Sequence, residues 1–95
     1  MGTQFTRHAE KRLKERVIGK DEVESVLSSP EIVYFDVLTE YFVSVGSRTS
    51  VSGHWLIVVY DVVDGQKMVI SVLDTSSVDK ITRNKEAGGR WIKAR

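Results

Sequence analysis

The sequence has no cysteine, a single proline and no long apolar run in its 95 residues. Without cysteine there is no disulfide framework, no thiolate nucleophile and no cysteine-ligated zinc, so nothing calls for an oxidising compartment and a cytoplasmic setting is expected. Without an apolar run of about 20 residues no membrane-spanning helix is expected, nor is a secretion signal at the N-terminus. Met1-Gly2-Thr3-Gln4-Phe5-Thr6 fits a loose lipidation pattern, although Thr6 is better explained as a helix cap. The only two histidines are far apart, and Asp61, Asp64, Asp74 and Asp79 show no ligand spacing, so neither a metal nor a cofactor is expected. There is also no glycine-rich phosphate loop and no G-x-S-x-G elbow, which disfavours nucleotide-cofactor enzymes.

What is present is ordinary globular usage, 41% apolar and 28% charged, enough for one core and one domain over residues 1–95. Net charge is only +1, but it is unevenly placed. Residues 1–20 carry six Lys/Arg against two Glu, residues 21–40 carry six Asp/Glu and no cation, and residues 81–95 carry five Lys/Arg against one Glu. If the fold brings the two basic ends together, they form a positive patch able to hold a polyanion. Otherwise they neutralise the acidic block.

Phe5, Ala9, Leu13 and Val17 recur every four residues and predict a first helix, capped by Thr6 and stopped by Gly19. A second helix is expected from Asp21, with Asp21 and Glu24 as a capping box and Pro30 as its exit. Four extended runs follow, Ile32 to Val37, Tyr41 to Arg48, Trp55 to Val62 and Lys67 to Leu73, with Asp64-Gly65 as a tight hairpin turn. Trp55 to Tyr60 is apolar on both faces and should be central, while Gly46 suggests a bulge or an edge. A third helix is expected from Val78 to Glu86, with Ser77 as its cap, followed by Trp91-Ile92 folding back on the body. The fold class is therefore α+β: two N-terminal helices, a four-stranded antiparallel meander and a C-terminal helix.

His8, Arg12 and Arg16 form one line on the first helix, beside its apolar stripe and so at the rim of the helix-sheet contact. The bland alternative pairs Arg12 and Arg16 with the acidic second helix. A hairpin would bring Arg48 near His54, and Tyr60 shares strand parity with His54. His8, His54 and Tyr60 with several arginines would make a metal-free kit for acid–base work on a phosphodiester. Arg83 on the third helix, and Arg90, Lys93 and Arg95 around Trp91, add phosphate-binding candidates.

The pattern Phe5-Thr6-x-His8-Ala9-x-x-Arg12-x-x-x-Arg16, then Ile18, an acidic helix ending at Pro30 and a late Gly89-Arg90-Trp91, resembles a small uncharacterised prokaryotic family. That family of domains of unknown function opens with a Thr-x-His-Ala-x-x-Arg helix, and it is in turn similar to the BrnT and RelE group of toxins. The resemblance implies a small α+β, metal-independent endoribonuclease of a toxin–antitoxin pair, with His8 and Arg12 as the motif positions, RNA as substrate and an antitoxin as protein partner. Two other readings stand beside it: a non-catalytic module binding nucleic acid or protein through its basic ends, and a small regulatory domain working as a dimer through an exposed strand edge; the expected oligomeric state is monomer or homodimer.

Overall fold

The computed structural model describes residues 3–94; the Gly2 lipidation pattern and the Arg95 cation lie partly or wholly outside the described residues. In chain order the elements are β1 (Gln4–Phe5), α1 (Arg7–Arg16), α2 (Lys20–Ser28), β2 (Ile32–Asp36), β3 (Phe42–Ser47), β4 (Trp55–Val63), β5 (Gln66–Thr75), α3 (Val78–Ala87) and β6 (Trp91–Lys93). The chain is α+β, and its three helices fall where the periodicity places them.

The sheet departs from expectation. It has six strands in the order β1-β5-β4-β3-β2-β6, with β1 parallel to β5 and the rest antiparallel, so it is mixed. The expected meander is its middle. The two added strands are too short to show a period: β1 has two residues, and β6 forms because Gly89, at φ 74°, turns the chain back against β2. Asp64 and Gly65 both adopt positive φ, as a tight hairpin between β4 and β5 requires.

The helix ends differ in detail. Val17, not Gly19, closes α1 in the left-handed conformation, and Gly19 instead caps α2, its N–H donating to the Glu22 carboxylate at 2.9 Å. The capping box is therefore Gly19–Glu22 rather than Asp21–Glu24. Ser77 precedes α3 without a side-chain cap.

Strand β4 is buried on both sides. Leu56, Val58 and Tyr60 face α1 and α2, in one core with Ala9, Leu13, Ile18, Val23, Val26 and Leu27. Ile57 and Val59 face the opposite way, toward Val78 and Ile81 of α3, Trp91 and Tyr34. Each fully buried aliphatic side chain stabilises such layers by roughly 1.5–3 kcal/mol. Gly46 marks neither bulge nor edge: it lies in regular register in β3, where an added Cβ would stand 3.2 Å from both methyls of Val26. It is the place where α2 settles onto the sheet.

Candidate functional site

Helix α1 begins at Thr6, whose hydroxyl accepts the Ala9 N–H at 3.1 Å. Ala9 and Leu13 enter the core, and the His8, Arg12, Arg16 line sits one position earlier on each turn, about 100° around the helix. Because α1 follows the edge strand β1 and packs mainly on β5, that line overhangs the sheet edge. Arg12 is half-buried there, while His8 and Arg16 are exposed. Neither arginine pairs with α2; the ion pair between α1 and α2 is Lys20 to Glu10 at 3.0 Å.

On the α3 side of the sheet Arg12 and Arg16 meet the C-terminal part of the chain, whereas His8, one turn earlier, stands outside the groove lining. Helix α3 buries only Val78 and half-buries Ile81, too little apolar surface to cover the whole face. A groove of about 310 Å³ remains between α1 and α3. Arg12 and Arg16 form one wall and Ile81, Lys85 and Trp91 the other, over a floor that includes Ile57, Val59, Ser71 and Leu73. No carboxylate lines it, and Arg12, Arg16 and Lys85 make no ion pair among the described residues. The Lys85 ammonium stands 5.8 Å from the centre of the Trp91 ring. An open, aliphatic-floored groove with three uncompensated cations favours an anion carrying an apolar body.

The other residues singled out in the sequence lie elsewhere. Arg48 and His54 are indeed neighbours, but in a network on the α1–α2 side. Arg48 is buried and donates to Glu22 at 2.8 Å, to Asp74 at 2.9 Å and to the Val17 carbonyl at 2.8 Å. Asp74 also holds Nδ1 of His54 at 2.9 Å. Hydrogen bonds from Arg48, then from Ser50 and the Gly19 N–H, outweigh burial and hold the Glu22 carboxyl down at about 2. With its fork fully engaged, Arg48 is a structural clamp. Tyr60 shares the His54 face but stands six residues along, on the order of 20 Å away. It is buried between Phe42, ring centres 5.8 Å apart, and the Lys67 ammonium.

Arg90 is taken by Asp36 at 3.0 Å, which also accepts from Trp91 Nε1 and from the N–H groups of Leu38 and Thr39. Burial alone would raise the Asp36 carboxyl, but Arg90 and those backbone donors bring it down to about 2. Arg83 is exposed on α3 and does not line the groove. Trp91 is buried against Tyr34 at 5.2 Å, so it anchors β6. Tyr34 donates to Glu86 at 2.6 Å, and burial, then that carboxylate, push its hydroxyl up to about 12.

Ser71, and a site role for Lys85, stand outside the candidates drawn from the sequence. The four-residue spacing of Ile81 and Lys85, which sets them on one line of α3, is the signal that could have found the second. For Ser71 no such signal exists.

The profile of a family described as a domain of unknown function, DUF4258, matches residues 5–74, most of the chain. The chain belongs to the DUF4258 family. No curated protein and no solved structure matches it. The DUF4258 match runs from Phe5 through α1, α2 and the meander to Asp74, so it contains the arginine wall and the floor of the groove; Lys85 and Trp91 lie beyond it.

Proposed function

We propose that this DUF4258 protein binds RNA in the groove between α1 and α3 and acts on it as a RelE- or BrnT-like, toxin-type protein. The reading rests on the convergence of Arg12, Arg16 and Lys85, from opposite ends of the chain, on one groove without a carboxylate. Cations in such a groove hold phosphates, and the aliphatic floor takes the sugar or base between them. Cleavage falls to His8, one turn before Arg12 on the same line and about 6 Å along the axis. Its imidazole takes the proton of a ribose 2′-hydroxyl, and the 2′-oxygen attacks the adjacent phosphorus. The bond to the 5′-oxygen breaks, and that oxygen takes a proton from solvent. Arg12 and Arg16 carry the charge that develops on the nonbridging oxygens.

The test is RNA cleavage in EDTA. His8→Ala is expected to slow it by roughly 100-fold or more with the fold intact. Growth arrest on induced expression, relieved by the product of the adjacent reading frame, would supply the antitoxin partner. A non-catalytic nucleic-acid-binding module is the second reading, because His8 is exposed and has no partner among the described residues to fix its tautomer. Salt-sensitive RNA binding with no turnover across varied RNAs would select it.

A further inference from the structure

The ladder between β4 and β5 slips once. Val59 stands opposite Ser71 and Tyr60 opposite Val69, which leaves Ile70 without a partner. In an unbroken strand Ser71 would share the face of Val69, under α1 and α2. With the extra residue, Val69 and Val72 both stay in that core and Ser71 turns to the opposite face. There it joins the groove floor beside Val59 and Leu73. Bulges re-aim side chains in this way beside functional sites. The Ser71 hydroxyl has no protein partner among the described residues, and no buried side-chain polar atom there is left unpaired, so the hydroxyl opens to the groove.

Its chemistry differs from that of every other polar side chain in the lining. Arg12, Arg16 and Lys85 only donate hydrogen bonds, and Trp91 only donates, toward Asp36 at 3.3 Å. Among the described residues, Ser71 is thus the only side chain lining the groove that can accept a hydrogen bond. A ligand anchored there by its phosphates and carrying a hydroxyl finds its acceptor at Ser71.

We infer that Ser71 Oγ accepts a hydrogen bond from a ribose 2′-hydroxyl and thereby makes the groove prefer RNA to DNA. The inference rests on the groove being the RNA site and is independent of cleavage. The 2′-hydroxyl is what distinguishes the two nucleic acids at a given position.

Matched single-stranded oligonucleotides of RNA, DNA and 2′-fluoro chemistry test it by direct binding; the fluoro strand has no 2′ donor but is close to the hydroxyl in size. The wild-type protein is expected to bind RNA about 3- to 10-fold more tightly than either analogue, the net effect of one hydrogen bond. Ser71→Ala should bring RNA down to the level of DNA and leave DNA binding unchanged, and Ser71→Thr should keep the preference. Equal binding of all three strands by the wild type, or a preference that survives Ser71→Ala, overturns the role of Ser71 while leaving the groove as the site. Binding of neither RNA nor DNA, or binding indifferent to Arg12→Ala, overturns the site itself.

Discussion

Val17 carries a β-branched side chain at φ 54° and ψ 53°, and it is 82% exposed. A left-handed conformation costs such a residue roughly 1–2 kcal/mol, and its side chain recovers little by packing. It is held because its N–H bonds back into α1 and its carbonyl takes the Arg48 guanidinium. Val17→Gly should therefore leave the fold unchanged and stabilise it by about 0.5–1 kcal/mol after the extra chain entropy of glycine is deducted. An upward shift of the urea midpoint checks this. Arg48→Ala should act in the opposite sense, because it strands Glu22 and Asp74 in partly desolvated positions. A loss of about 3–5 kcal/mol is expected, read from the same denaturation curve. At this scale the sequence was only partly legible. Thr6 could be read as a cap from its type and place, but the clamp role of Arg48 depends on Glu22 and Asp74, remote in sequence and near only after the sheet forms.

Helix α2 rests on β3 at Gly46, where an added Cβ would stand 3.2 Å from both methyls of Val26. Gly46→Ala should cost about 1–3 kcal/mol through overpacking. Combined with Val26→Ala, which vacates the space, the loss should be less than the sum of the two single losses; a double-mutant cycle in urea measures that coupling. In the sequence Gly46 suggests a bulge or an edge instead, since a strand glycine signals a bulge as readily as a close approach. The real bulge, at Ile70, sits in an apolar run where nothing in Val69-Ile70-Ser71-Val72 marks which residue is extra. That is why Ser71 was invisible, whereas the His8, Arg12, Arg16 line was plain: helical geometry places every fourth residue together without reference to the rest of the chain. Lys85 meets that line only because α3 crosses the far face of the sheet.

Over the whole molecule, two carboxylates of the acidic middle segment are tied internally rather than at the groove: Glu22 holds Arg48 and Asp36 holds Arg90. Both carboxyls sit at about 2, below the ordinary 4.5 and 3.8. Their contribution to stability is complete above the ordinary carboxylate range and is lost as pH falls through it toward 2. Thermal midpoints should thus decline steeply between pH 4.5 and pH 2, and Glu22→Gln should flatten that decline while lowering the midpoint at neutral pH. The sheet ends in strands of two and three residues, and β1 pairs only with Met68 and Val69 of the ten-residue β5, so no strand pairs with the rest of that edge among the described residues. Among the described residues no helix is long and apolar enough to cross a membrane. None of the acidic segment's carboxylates lines the groove, and Arg12, Arg16 and Lys85 keep their charge there without an ion pair among the described residues.

The salt dependence of RNA binding addresses that most directly. For the wild type, log K should fall linearly with log salt, and Arg12→Ala and Arg16→Ala should each weaken binding and reduce the magnitude of the slope by about 1. Arg83→Ala, outside the groove, should change the slope far less. Equal effects of all three substitutions, or a slope that none of them alters, would contradict the assignment of the α1–α3 groove as the polyanion site.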